Sequence, residues 1–94
     1  MIKKLAKEIN DKWFRNNKNY IGFYGSVSES ILALLTKKET LSEIEISLEH
    51  IILDNTFLCE DDLNNITFDV SDKEIILFFN GIDYYFILEE KFIY

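Results

Sequence analysis

The chain contains no proline, three glycines, one cysteine and one histidine among its 94 residues. Because Cys59 is alone, no internal disulfide can form, which is typical of proteins in a reducing compartment. His50 has no cysteine or second histidine at metal-ligand spacing, so no zinc site is predicted. The scarcity of glycine excludes a dinucleotide-binding fingerprint, and no Walker loop is present. These absences predict no catalytic motif, no metal and no cofactor.

Long apolar runs and export signals are missing as well. No apolar stretch approaches the roughly 20 residues that a membrane span needs. The N-terminal lysines are not followed by a continuous apolar segment, so no secretory signal is predicted. A chain of this length that is 48% hydrophobic and 29% charged is expected to fold as one globular domain, residues 1–94. We therefore expect a single cytoplasmic domain with no membrane contact.

Acidic residues dominate the charge, and they are unevenly distributed. The net charge is −7, but residues 1–19 carry +4, residues 20–38 carry +1 and residues 39–94 carry −12. Such a surface repels nucleic acid and attracts basic proteins. The sequence thus predicts a protein partner with a basic surface and no direct contact with nucleic acid. The alternative is that acidity only keeps a small domain in solution.

The first 38 residues are predicted to form two helices. Apolar residues at helical spacing, from Ile2 to Trp13, predict an amphipathic helix over residues 2–16 that the polar residues 16–19 end. Residues 20–24 are short and aromatic, which indicates either a strand or an extended connector. The segment Ser26-Val27-Ser28-Glu29 has the pattern of a capping box and predicts a helix over residues 27–38.

The same segment can be interpreted as part of a catalytic site. Gly25-Ser26, the predicted helix and then Glu43-Ile44-Glu45 resemble the order found in minimal nucleotidyltransferases. In that family a glycine–serine pair opens a helix, and carboxylates on the next strand hold Mg²⁺. The resemblance implies Glu43 and Glu45 as metal ligands, with Asp69 as a third. The chain differs from the family in having Glu at both positions. The structural alternative is that Ser26 only caps a helix.

Residues 41–53 fit two patterns. Ile44, Ile46 and Leu48 alternate with polar residues, and isoleucine favours strands, so we predict a strand over residues 43–53. The alternative is a helix that begins with a capping box formed by Thr40 and Glu43. Asp54-Asn55 and residues 59–65 are predicted to be turns.

The C-terminal third is predicted to be an antiparallel meander. Asn80-Gly81 between two apolar runs predicts a two-residue hairpin turn, which pairs Phe79 with Ile82 and Ile75 with Phe86. A second turn at Ser71-Asp72 would place Asp69 opposite Glu74, an unfavourable pair of like charges. The predicted fold class is therefore α+β, with two N-terminal helices packed on one face of an antiparallel β-meander.

The other face of this meander is predicted to bind a partner. It collects apolar and acidic side chains, and exposed apolar patches with charged rims often mark interaction sites. The predicted partner-binding residues are Asp69, Glu74, Ile76, Phe78, Asp83 and Tyr85, with Glu60, Asp61 and Asp62 as a second acidic contact. A homodimer contact, or a cover formed by residues 91–94, are the alternatives for this face.

These features together favour a protein inhibitor over an enzyme. Abundant isoleucine, asparagine and lysine with rare alanine and arginine indicate A/T-rich codons, as in low-GC bacteria and their phages. We expect a bacterial immunity protein that binds and neutralises a cognate toxin, most simply a nuclease. A phage-encoded anti-CRISPR or other anti-defence inhibitor is the alternative. An Mg²⁺-dependent nucleotidyltransferase is the weaker alternative.

Overall fold

The computed structural model describes residues 2–25, 31–79 and 81–89. Within these residues, two α-helices cover one face of a five-stranded antiparallel sheet, so the predicted α+β fold class is confirmed. Along the chain the elements are α1 (Ile2–Lys12), a 3₁₀ turn (Phe14–Asn16), β1 (Tyr20–Gly25), β2 (Ile31–Thr36), α2 (Leu41–Asn55), a second 3₁₀ segment (Glu60–Asn65), β3 (Thr67–Val70), β4 (Glu74–Phe79) and β5 (Ile82–Leu88). The order of strands in the sheet is β2-β1-β5-β4-β3.

The first helix is close to its prediction. Its apolar positions from Ile2 to Ile9 are buried at helical spacing, and its lysines point to solvent or lie half-buried at the surface. The α-helical part ends at Lys12, and the chain continues as a 3₁₀ turn instead of extending to residue 16. Asn17 then adopts the left-handed conformation with a φ of 63°, and its N–H donates to the carbonyl of Phe14 at 3.3 Å. Asn17 therefore ends the 3₁₀ turn, whereas the α-helix itself ends at Lys12, before the polar residues 16–19 that were predicted to end it.

The helix predicted over residues 27–38 is wrong, because Ile31–Thr36 forms strand β2. This strand pairs with β1, placing Leu35 opposite Ile21 and Ala33 opposite Phe23. A short apolar run such as residues 31–35 is compatible with either a buried helix or a strand. The presence of β1 as a partner decides between them. The capping box predicted at residues 26–29 lies outside the described residues.

The strand predicted over residues 43–53 is also wrong, since Leu41–Asn55 forms helix α2. Thr40 Oγ1 accepts a hydrogen bond from the N–H of Glu43 at 3.2 Å and donates one to its carboxylate at 3.0 Å. The Thr40 side chain is thus the N-cap that the helical alternative requires. The turn predicted at Asp54-Asn55 is wrong for the same reason, because both residues lie within α2.

Burial along α2 shows why the helical period prevails. Ile44, Leu48 and Ile52, four residues apart, are all buried against the sheet and α1. Ile46 is 55% exposed, although a strand would have placed it beside Ile44 and Leu48. Alternation in this segment therefore reflects a half-exposed helix that carries an apolar residue on its outer side.

The β4–β5 hairpin has the predicted register. Phe79 pairs with Ile82, Ile76 with Tyr85 and Ile75 with Phe86. Gly81 has a φ of +76°, the left-handed conformation that favours glycine in a tight hairpin turn. The local turn signal was sufficient here because it fixes both the connection and every cross-strand pair that follows.

The β3–β4 turn lies one residue later than predicted. Ser71 and Glu74 close it: the Ser71 N–H donates to the Glu74 carbonyl at 2.9 Å, and the Glu74 N–H donates to Ser71 Oγ at 3.2 Å. The turn is therefore centred on residues 72–73, and Val70 pairs with Ile75 instead of residue 73. Because the register moves by two residues, each side chain keeps its predicted face.

The core lies between the sheet and the two helices. Phe23 on β1 stands at its centre, where its ring is 5.5 Å from the ring of Tyr84 and 4.9 Å from that of Phe86. The buried apolar residues of the helices and strands are Ile2, Leu5, Ala6, Ile9, Ile21, Phe23, Leu35, Ile44, Leu48, Ile52, Ile75, Leu77 and Phe86. Both helices thus cover the same face of the sheet and leave the other uncovered by either helix.

Candidate partner-binding site

The face of the sheet that turns away from the helices, called the open face below, includes three cross-strand rows that run through β4 and β5. The pairing of neighbouring strands defines each row. The middle row is Asp69, Ile76, Tyr85, Tyr24 and Ile31; the row on one side of it is Thr67, Phe78 and Asp83; the row on the other side is Glu74, Ile87, Gly22 and Leu34. All six residues predicted for this face therefore lie together on it.

An apolar patch occupies the part of the open face formed by β4 and β5. Ile76, Phe78 and Tyr85, which define the patch, are each only half-buried, and neither α1 nor α2 covers them. Strands β3, β4 and β5 contain no lysine or arginine. The patch is thus a partly exposed aromatic and aliphatic surface, and every charged residue on these three strands is acidic.

The three predicted carboxylates surround the patch, but not in the predicted way. Asp69 lies opposite Ile76, and Glu74 lies opposite Ile87, so the like-charge pair predicted between Asp69 and Glu74 is wrong. Asp69 is exposed on edge strand β3, Glu74 begins β4, and Asp83 lies beside the hairpin turn. The carboxylates therefore stand on three sides of the patch, where their mutual repulsion is weaker than that of a direct cross-strand pair.

A tyrosine–glutamate pair adjoins the patch and was not anticipated from the sequence. Tyr24 is the cross-strand neighbour of Tyr85, and its hydroxyl donates a hydrogen bond to Glu89 Oε2. Glu89 is only 9% exposed, although it carries a carboxylate. Burial of Tyr24, followed by its hydrogen bond to Glu89 and the negative charge of that carboxylate, raises the pKa of Tyr24 to about 12. The phenol is therefore held in its protonated, donating form.

Gly22 makes this pair possible. A Cβ at position 22 would lie 2.7 Å from Tyr24 Cε2 and 3.3 Å from Glu89 Oε2. The Tyr24 ring consequently lies directly over the glycine, where any larger residue would displace it. A glycine inside a strand pattern often marks such a close approach. That was the one signal in the sequence that could have indicated the pair.

The second predicted contact, Glu60, Asp61 and Asp62, lies on a different surface. Glu60 and Asp61 are exposed on the second 3₁₀ segment. Asp62 is partly buried, and its Oδ2 accepts a hydrogen bond from the N–H of Cys59 at 2.8 Å, so it caps this segment. Asp62 also lines a cavity with Phe79 and Tyr84, whose side chains belong to the helix-covered side of the sheet. The structure therefore separates this acidic segment from the open face.

Phe57, beside this acidic segment, is 99% exposed. Hydrogen bonds hold the chain on both sides of it: Thr56 Oγ1 donates to the Ile52 carbonyl at 2.6 Å and accepts from the Leu58 N–H at 3.2 Å. Leu58 packs against the core, so the loop directs one apolar residue inward and the other outward. Sequence reasoning missed Phe57 because an apolar residue in the short segment between two predicted turns is expected to be buried.

The arrangement that the nucleotidyltransferase resemblance implied is not present. Glu43 and Glu45 lie on helix α2, where residues two apart do not face each other, so they cannot share a metal as they would on a strand. Among the described residues, no group of three histidine, cysteine or carboxylate side chains could hold a metal ion. Cys59 and His50 are both exposed. Also within the described part of the chain, no helix has the length and apolarity needed to cross a membrane.

Comparison of the chain with protein-family models, with curated proteins and with solved structures finds no match.

Proposed function

We propose that this protein is a stoichiometric inhibitor that binds a basic protein through its open face, as a bacterial immunity protein binds a cognate nuclease toxin. The observation that supports this most directly is the apolar patch of Ile76, Phe78 and Tyr85 with carboxylates on three sides. Half-exposed aromatic residues inside a charged rim have the composition of a protein–protein interface. The absence of a recognised catalytic motif from the sequence favours binding over catalysis as the function.

Charge narrows the class of partner. Asp69, Glu74 and Asp83 would repel nucleic acid and an anionic membrane surface, and a second copy docked face to face would bring these carboxylates against one another. A basic protein would be attracted and would associate faster. Nucleases have basic active sites because their substrates are polyanions, so an acidic surface can block the entry of the substrate. Because such a toxin acts on cytoplasmic nucleic acid, we assign the inhibitor to the cytoplasm.

The side chains of the open face have different roles in this proposal. Buried aromatic anchors hold most of the energy of protein interfaces, whereas rim charges mainly set the association rate. We assign the anchoring role to Phe78 and Tyr85 and the steering role to Glu74 and Asp83. The acidic segment at Glu60 and Asp61, with the exposed Phe57, offers a second and separate contact.

The proposal is tested by identifying the partner and measuring inhibition directly. The tagged protein is used to capture a stoichiometric binder, which is then purified and assayed for nuclease activity with and without the inhibitor. At low salt, Glu74→Lys and Asp83→Lys are expected to slow association by roughly tenfold and to flatten its salt dependence. Tyr85→Ala is expected to speed dissociation instead, because it removes an anchor.

Glu49→Lys is the matched control, since it makes the same charge change at an exposed position of α2 on the other side of the sheet. A smaller effect of Glu49→Lys than of Glu74→Lys supports the open face as the binding surface. Equal effects of the two variants, or normal kinetics for Tyr85→Ala, would remove the open face from the interface. A captured partner whose activity is unaffected would contradict inhibition. The identity of an inhibited partner separates a toxin from a defence nuclease, the target of a phage inhibitor.

A further inference from the structure

The two edges of the sheet differ in how they are protected. Edge strands usually resist pairing with other chains by being short or by carrying charges. Strand β3 follows this rule, since it has four residues and includes Asp69. Strand β2 does not, because its six residues, Ile-Leu-Ala-Leu-Leu-Thr, include no charge and no proline. Within the residues that the structure describes, the β2 edge is therefore the one that lacks both protections.

The backbone groups along β2 can be assigned from the ladder that joins it to β1. The N–H of Lys37 donates to the carbonyl of Asn19 at 3.0 Å, and the residues of β2 and β1 pair in continuous register from there to Ala33. Hydrogen-bonded pairs alternate along an antiparallel ladder, so Leu35 and Ala33 also bond to β1. The N–H and C=O groups of Leu34 and Thr36 consequently point away from β1. Within the described part of the chain, β2 pairs with no other strand.

Helix α2 lies near this edge but does not fill the space beside it. A cavity of about 210 Å³ lies at this edge between β2 and α2, where it is lined by Leu34, Leu35 and Thr36 of the strand and by Ser47, His50 and Ile51 of the helix, among others. A β-bulge interrupts the pairing with β1 where Tyr24 pairs with Ile31 and Phe23 with Ala33. The regular part of the edge is thus residues 33–36, which limits where another strand could pair.

We propose that β2 pairs antiparallel with β2 of a second copy, with the two-fold axis passing beside Leu35. In this register Leu34 of each copy lies opposite Thr36 of the other, and their outward groups form four backbone hydrogen bonds. The two five-stranded sheets then join into one sheet of ten strands. A second copy can pair in this way because Leu34 and Thr36 lie one residue on either side of Leu35. A two-fold rotation about an axis beside Leu35 therefore brings the same outward groups of the two copies together.

Charge is compatible with this pairing. The charged residue nearest to Leu35 along the chain is Lys37, two positions away. The two Lys37 residues would be offset by four residues, so their Cα atoms would lie about 14 Å apart at roughly 3.4 Å per residue. That separation exceeds the Debye length of about 8 Å at physiological ionic strength, so their repulsion is largely screened. The axis stands perpendicular to the sheet, which keeps both helical layers on one side and both open faces on the other. The pairing therefore leaves the surface of the proposed function accessible and does not depend on it.

The test is the molar mass of the purified protein over a wide concentration range, measured by sedimentation velocity or light scattering. We expect the mass to rise from the chain mass of 11.2 kDa towards twice that value. The N–H of Leu34 points away from β1, so Leu34→Pro removes one outward donor from each copy and leaves the bonds to β1 in place. Proline is tolerated at such edge positions. It is expected to weaken self-association by at least about tenfold, the equivalent of about 1.4 kcal/mol.

Val70→Pro is the matched control on the protected edge. The Ser71 N–H bonds to the Glu74 carbonyl, so by the same alternation the N–H of Val70 points away from β4. This variant is expected to associate like the wild type. Thr36→Lys, which introduces a charge opposite Leu34 of the other copy, provides a second test if Leu34→Pro is shown by circular dichroism to be unfolded. A wild-type mass that stays at 11.2 kDa at all concentrations, equal loss in Val70→Pro, or normal association of Thr36→Lys would overturn the proposal.

Discussion

Replacing Gly22 by alanine is expected to destabilise the domain because of a single side chain, Tyr24. The added Cβ would lie 2.7 Å from Tyr24 Cε2, closer than carbon atoms pack in proteins, and 3.3 Å from Glu89 Oε2 and Ile31 Cδ1. The two longer contacts can be relieved by small movements. The ring must rotate away from position 22, and it then gives up its hydrogen bond to the buried carboxylate of Glu89.

The size of the effect follows from that lost bond. A hydrogen bond to a charged group contributes about 1.5–3 kcal/mol, while alanine is favoured over glycine inside a strand by roughly 0.5–1 kcal/mol. The net loss in the free energy of unfolding is therefore about 1–2 kcal/mol for Gly22→Ala. For a domain of this size each kcal/mol lowers the melting temperature by about 4–8 °C. We expect a melting temperature about 5–15 °C below that of the wild type.

The control is the same substitution in a Tyr24→Ala background, where the ring is absent. There Gly22→Ala is expected to be neutral or slightly stabilising, because only the two contacts at 3.3 Å remain. Urea unfolding of the four proteins gives the coupling free energy between the two positions. The reasoning is refuted if Gly22→Ala costs the same in both backgrounds, or nothing in the wild type.

Two further predictions concern helix α2 and the titration of Tyr24. Leu48→Ala is expected to lower the free energy of unfolding by about 2–5 kcal/mol, because Leu48 is fully buried. Ile46→Ala should lower it much less, because Ile46 is largely exposed. Similar losses for both variants in urea unfolding would contradict the helix. The pKa of Tyr24 rises from 10.0 to about 12 on folding, so its contribution to stability is complete below pH 10 and is lost as the pH rises towards 12. The stability difference between wild type and Tyr24→Phe should therefore shrink over that interval, and a constant difference would contradict the raised pKa.

Some features of this protein follow from short stretches of its sequence. The first helix requires only the apolar spacing from Ile2 to Ile9, although its α-helical part ends at Lys12, before the polar residues that were predicted to end it. The β4–β5 pairing requires only Asn80-Gly81 and the apolar runs beside it, since a two-residue turn fixes the register of both strands. The open face, with Ile76, Phe78 and Tyr85 on it, then follows from strand alternation alone.

Other features depend on partners that are distant in the sequence. Residues 31–35 are apolar throughout and carry no strand period, so only the ladder to β1 makes this segment a strand. Residues 41–55 carry both an alternating and a helical pattern. The second prevails because the buried positions Ile44, Leu48 and Ile52 meet α1 and the sheet on one side. Local patterns cannot decide such cases, since the burial that separates them exists only after the elements pack together.

The candidate site also combines features that follow from the local sequence with features that depend on distant partners. Its apolar and acidic residues could be assigned to one face because a shift of two residues in register preserves the face of each side chain. Their neighbours could not be assigned, and Asp69 lies beside Ile76 instead of Glu74 because the turn is closed by Ser71 hydrogen bonds that sequence pattern does not specify. The Tyr24–Glu89 pair joins residues that are 65 positions apart in the sequence, and only the antiparallel contact of β1 with β5 brings them together. Periodicity in a sequence determines which side of an element a residue occupies, whereas strand pairing determines what lies next to it.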